Sequence, residues 1–129
     1  MSGRISMLSL DHIVLCVNDV PTTIAFYRRV LGMRAGEERP GKWSLHFGSN
    51  KISLQDAKAS PSIAAATVPG SGNFCLLTDV SIAEFVAHLK RENVPIMDGP
   101  AERHGAVGPI LSVYFNDPDG NLVEVSNRL

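Results

Sequence analysis

Apolar and polar positions recur along this chain with two different periods. Residues Asp11 to Val17 (DHIVLCV) form an apolar run of strand length. Val20, Ile24, Tyr27 and Leu31 then recur at spacings of three to four, which gives one apolar face of a helix. Asp19 stands where a short carboxylate can accept from a free N–H of the first turn. Pro21 falls where a missing N–H costs little, and Gly32 follows as a C-terminal stop. Short strands are predicted over Met33–Glu37, Trp43–Phe47 and Lys51–Gln55, the last two joined as a hairpin through Gly48, Ser49 and Asn50. Asp56–Gly72, rich in Ala, Ser, Pro and Gly, reads as a crossover with a short helical turn at Ile63–Ala66.

The second half repeats the plan. Asn73–Leu77 reads as a strand, and Ile82, Phe85, Val86 and Leu89 mark the buried face of a helix. That helix is capped by Asp79 or by Ser81, which has capping-box spacing to Glu84. Pro95–Met97 reads as a short strand and Gly99–Pro109 as a glycine-bearing loop. Ile110–Asn116 and Asn121–Ser126 read as strands across a turn of Asp117, Pro118, Asp119 and Gly120. Each half is therefore strand–helix–strand–strand–strand, and neither is long enough to stand comfortably alone. The pattern predicts an α+β fold of two βαβββ modules, about 9–56 and 71–127, in one domain spanning 1–129. A ferredoxin-like domain is the main alternative, but it leaves several of the predicted strands unused.

Side chains alternate across a strand. Ile13, Leu15 and Val17 share a face with the aliphatic positions of the other strands, and that face belongs under the helices. The opposite face then collects His12, Ser53, Gln55, Asn73 and Glu124 from four separated strands. Burying these groups without partners is costly, so their placement points to a cavity.

Composition narrows the partners. The 129 residues carry a formal net charge of −1, with 44% hydrophobic and 19% charged residues. A disordered chain does not fit these values, and a nucleic-acid binder needs clustered Lys or Arg. No run reaches the roughly 18 consecutive apolar residues of a membrane span, and MSGRISMLSLDH lacks the long apolar run of a signal peptide. Cys16 and Cys75 lie in apolar runs and read as buried thiols. A cytoplasmic, membrane-independent protein is the resulting expectation.

DHIVLCVNDVPTTIAFYRRVLGM at 11–33, FNDPDGNLVEVSN at 115–127 and the repeated module plan resemble the vicinal oxygen chelate superfamily. That superfamily includes glyoxalase I, fosfomycin and bleomycin resistance proteins and extradiol dioxygenases. The sequence is most similar to small glyoxalase-domain proteins with a KINLH-like fourth strand, among them virulence-associated lactoylglutathione-lyase-like proteins. The resemblance implies a cup-shaped mixed sheet with helices outside, a small-molecule substrate or ligand, and a homodimer that completes each cup. It also implies a divalent metal (zinc, nickel, manganese, magnesium or iron) held by the first and fourth strands of each module.

Carried over position by position, His12 and Glu124 are the firmest metal ligands. Asn73 stands where glyoxalase I usually has histidine, and Ser53 stands where it has glutamate. Gln55 faces the same way and joins the metal candidates, while Ser53 is assigned to the substrate pocket. Glu124 is also a candidate acid–base group. His104, in the glycine-bearing stretch RHGAVGPI, is a second catalytic candidate, and Trp43, Arg103 and Tyr114 are candidate pocket residues.

Three functions follow. The first is a glyoxalase-type lyase or isomerase in which a metal polarises a carbonyl or stabilises an enediolate. The second is a non-enzymatic dimer that binds or sequesters a small molecule, favoured by the Asn73 and Ser53 departures. The third is an extradiol-type dioxygenase, which calls for two histidines and a carboxylate on iron.

Overall fold

The structure is a computed structural model describing residues 5–59 and 63–129. The first half comprises β1 (His12–Val17), α1 (Val20–Leu31), β2 (Arg34–Arg39), β3 (Lys42–Phe47) and β4 (Asn50–Asp56). The second comprises β5 (Asn73–Leu77), α2 (Ile82–Arg91), β6 (Ile96–Gly105), β7 (Gly108–Asn116) and β8 (Leu122–Arg128). Each half makes a four-stranded mixed sheet, in the orders β1-β4-β3-β2 and β5-β8-β7-β6. The first strand of each half pairs in parallel with the last, and the remaining pairs are antiparallel. The expected α+β plan therefore stands, with all eight predicted strands used.

Local chemistry sets the helix ends. The Asp19 carboxylate accepts from the Thr22 N–H at 3.1 Å and from the Thr22 hydroxyl. Gly32 closes α1 in the left-handed conformation. At α2 the cap is Ser81, whose hydroxyl accepts from Glu84 N–H at 3.2 Å. Asn127 of β8 accepts from Ile82 N–H at 2.8 Å and donates to the Thr78 and Val80 carbonyls, which fixes the entry into this helix.

The helix-covered faces are the aliphatic ones. Leu15, Val17, Tyr27, Met33, Leu45, Ile52 and Leu54 form one buried cluster, and Val30, Ile82, Phe85, Leu89, Val113, Phe115, Val123 and Val125 lie in the other. Phe26, Leu31, Phe74 and Leu76 pack against both, so the two cores are continuous. A buried polar knot also joins the halves. Tyr27 of α1 donates its hydroxyl to Asp117 Oδ2 at 2.7 Å. The Asp117 carboxylate also accepts from the Asn121 amide and from the Asp119 and Asn121 N–H groups. Asn121 Oδ1 in turn accepts from Gly72 N–H at 2.7 Å. The DPDGN segment thus supplies an anchor as well as a turn, and burial beside Asp117 holds the Tyr27 hydroxyl far above its usual range.

Three expectations change. Gly99–Pro109 is not a loop: most of it lies in β6 and β7, a hairpin with register shifts between Ile96 and Ala101. Edge strand β6 tolerates Gly99 and Pro100 because a bulge needs no regular donor there. No helical turn forms at Ile63–Ala66; four residues flanked by turn formers cannot sustain one, and fully exposed Ile63 supplies no packing anchor. Residues 60–62 of the crossover lie outside the described residues. Finally, Cys75 is exposed and Cys16 only partly covered, because both stand on the face that no helix covers. Among the described residues, no helix is long and apolar enough to cross a membrane.

Candidate functional site

Register decides which side chains share the helix-free faces. On the first sheet, His12, Val14 and Cys16 pair with Lys51, Ser53 and Gln55. Ser53 and Lys51 pair in turn with Ser44 and His46 of β3, and these pair with Gly36 and Arg34 of β2. On the second sheet, Asn73, Cys75 and Leu77 pair with Leu122, Glu124 and Ser126, and the latter two with Tyr114 and Ser112. The chain entering β5 approaches β1 closely, since a Cβ at Gly72 would come within 2.8 Å of the Leu15 side chain. His12, Lys51, Cys75 and Leu77 line a common recess of about 500 Å³. β1, β4 and β5 thus meet at one recess that also reaches core residues such as Ile13 and Phe74, while Val14 and Leu77 are half-exposed on the helix-free faces.

Glu124 is the centre of the second face. Ser112 donates to its Oε2 at 2.5 Å, and Ser126 stands 2.6 Å from Ser112 and 3.5 Å from the same carboxylate oxygen. Both serines are fully buried beneath longer neighbours. Arg103 lies over the Tyr114 ring, 5.7 Å from its centroid, and pairs with Asp98 at 3.2 Å. Burial and then Glu124 push the Tyr114 hydroxyl upward, against the pull of Arg103. Burial likewise raises the Cys75 thiol, 3.3 Å from Ser126 Oγ, which disfavours its nucleophilic thiolate.

The first face carries a second carboxylate centre. Glu38, which follows Arg34 and Gly36 on the same face of β2, accepts from Ser44 Oγ at 2.5 Å and from Lys51 Nζ at 2.7 Å. These contacts, led by Lys51, hold the Glu38 carboxyl down at about 2. His12 Nδ1 lies 2.8 Å from Asp11 Oδ1. Ser53 is buried and Gln55 half-buried.

The glyoxalase/bleomycin resistance protein/dioxygenase superfamily pattern matches residues 9–125. The chain belongs to this superfamily. It is 42% identical over 119 residues to virulence protein STM3117 of Salmonella typhimurium, covering 91% of this chain and 82% of that one. It is 43% identical over 125 residues to the glyoxalase domain-containing protein RDO1 of Mycosarcoma maydis, covering 96% and 70% of the two chains. Among solved structures, the integron cassette protein VCH_CASS1 of V. cholerae superposes with a TM-score of 0.94 at 42% identity, covering 98% of this chain and 99% of that one.

Divalent metals are common in the superfamily, so the donor set of this member can be tested against one. Among the described residues, no three His, Cys, Asp or Glu side chains gather closely enough to hold a metal ion. His12 and Glu124 hold two of the positions implied by the resemblance, but the two remaining positions hold Ser53 and Asn73. Hydroxyl and amide groups are poor zinc donors. The residues of this chain do not by themselves fit a superfamily metal centre.

The predicted site residues divide accordingly. His12, Ser53, Gln55, Asn73, Glu124, Tyr114 and Arg103 all lie on the helix-free faces. Trp43 does not: it packs against the helix-covered core. His104 follows Arg103 in β6 and so faces the opposite way, exposed and in register with Pro109. Sequence reading missed Glu38, Ser44, His46, Lys51, Ser112 and Ser126. The signal was present: Ser44 and His46 alternate with Trp43, Leu45 and Phe47, as Ser112 and Tyr114 do with Leu111, Val113 and Phe115.

Proposed function

We propose that this superfamily member binds a small organic molecule on its helix-free faces and needs no resident metal to do so. Glu124 serves as the fixed hydrogen-bond acceptor and proton-accepting group. The observation that carries this reading is the Ser112–Ser126 clamp on Glu124 Oε2, which orients the carboxylate without a metal. Tyr114, stacked under Arg103, is the neighbouring donor, and Val14 and Leu77 offer apolar contact. Asn73 and Gln55 are further polar contacts on the same faces. The binding unit is proposed to be a homodimer, supported by Ile5, Met7, Leu8 and Leu10, which are 71–100% exposed in the single chain; sedimentation velocity tests this.

One observation favours a second reading, the metal-dependent lyase or isomerase. Asp11 holds His12 through Nδ1 and leaves Nε2 available, as metal-binding histidines often are. One experiment separates the two. EDTA-treated protein is melted with a panel of small carbonyl compounds, aromatic acids and amines, and separately with Zn²⁺, Ni²⁺, Mn²⁺, Mg²⁺ or Fe²⁺. The expected result is a compound that raises the melting temperature in EDTA and loses that effect in Glu124→Gln. Stabilisation that needs a metal and vanishes in His12→Ala, with turnover of a hemithioacetal, would overturn the metal-free reading. So would a panel in which no compound stabilises the EDTA-treated protein.

A further inference from the structure

Arg34, His46, Lys51 and His12 occupy consecutive register positions on β2, β3, β4 and β1. They form one transverse row of nitrogen donors on the helix-free face of the first sheet. Adjacent strands lie about 4.8 Å apart, so the three residues Arg34, His46 and Lys51 span about 10 Å. Side chains as long as those of Arg and Lys can close that distance and converge on one oxyanion. Arg34 and His46 make no side-chain hydrogen bond among the described residues, and Lys51 directs a single one, to Glu38.

Two features indicate that the row is arranged rather than incidental. A Cβ at Gly36 would approach His46 Nε2 to 3.2 Å and Cδ2 to 3.3 Å, so the glycine leaves room for the imidazole beside β2. Glu38 takes Ser44 and Lys51 on the same oxygen, which steadies the ammonium while leaving two of its N–H bonds unused. Beside the row, His12 and Lys51 also line the recess of about 500 Å³, whose other walls include Ile13, Phe47, Phe74 and Leu76. A charged edge thus meets an apolar hollow.

We infer that the first sheet selects a small organic anion, with its carboxylate or phosphate group on the Arg34–His46–Lys51–His12 row and its apolar body in the adjoining recess. The inference names a ligand class for the proposed binding faces and rests on that reading. Charge-assisted contacts to aligned donors favour an oxyanion over a neutral isostere. Glu38 and Asp11 are the acids facing the row, and they temper its attraction.

The test is a two-dimensional NMR titration with benzoate, phenylphosphonate and neutral benzamide, in EDTA. Saturable shifts at His46, His12 and Lys51 are expected with the two anions and not with benzamide. Benzoate and phenylphosphonate together distinguish carboxylate from phosphate-type selection. Lys51→Met and Arg34→Met should each weaken anion binding about tenfold. Glu38→Gln, which removes the competing charge, should strengthen it several-fold. Arg28→Met, on the exposed side of α1, should leave it unchanged. Benzamide binding as well as benzoate, or equal affinity in Lys51→Met and Arg34→Met, would overturn the row. An anion response alongside a compound screen that ignores Glu124→Gln would retire the Glu124 reading alone.

Discussion

Glu38 is more than a third exposed, yet its carboxyl is held near 2 by Lys51 and Ser44. Its ordinary value is 4.5. A carboxylate lowered on folding contributes stability that is present above its unfolded value and is lost as pH falls through its folded one. Wild type should therefore be more stable than Glu38→Gln at about pH 6, with the gap closing between about 4.5 and about 2. Thermal melts across that range check this, and a gap that stays constant with pH would show the ion pair to be energetically idle. Exposure keeps the effect modest through solvent screening. The same contacts explain why Glu38 went unnoticed in the sequence. Its strand, RAGEER, has no apolar alternation to reveal a face, and the pairing that sets Gly36 opposite Ser44 is long-range.

At the scale of elements, legibility followed burial. α1 and α2 were readable with their caps, because an apolar stripe and a capping side chain are both local signals. β1 and β8 were readable because their inward residues alternate, which also placed His12 and Glu124 on the correct face. β6 was not readable. Its ten residues, IMDGPAERHG, include Gly99 and Pro100, and its pairing with β7 is a long-range fact invisible to local pattern. That misreading placed His104 in a loop beside the site, whereas strand alternation turns it away. Gly99 itself is structurally constrained. It sits at φ 86°, and a Cβ there would lie 2.4 Å from the Ser112 carbonyl oxygen, on the strand that presents Ser112 to Glu124. Gly99→Ala should cost roughly 2–4 kcal/mol, combining backbone strain with displacement of β7. Gly108→Ala, at φ 130° with no atom near its Cβ, meets strain without a clash and should cost only about 1 kcal/mol. Denaturant melts of the two variants separate the causes, and equal losses would refute the steric part.

For the molecule as a whole, the sequence argued that neither half is self-sufficient, and the packing supplies a mechanism. Val30 of α1 is buried in the second core, while Phe74 and Leu76 of β5 pack against the first. Arg29 donates to the Glu92 carboxylate and carbonyl at 2.9 Å, and His88 Nε2 lies 2.8 Å from the Val30 carbonyl oxygen. Separating the halves would expose this apolar surface and strand the Tyr27–Asp117–Asn121 knot. Unfolding should therefore be a single transition, although the chain contains two sheets. The sole tryptophan, Trp43, reports only on the first half, whereas Asp117 belongs to the second. Asp117→Ala leaves the buried Tyr27 hydroxyl and Asn121 amide without their acceptor, a loss of roughly 2–4 kcal/mol. Trp43 fluorescence and far-ultraviolet circular dichroism should shift together by that amount in denaturant melts. If Trp43 kept its wild-type midpoint while the dichroism moved, the halves would unfold independently and the continuous core would not govern stability.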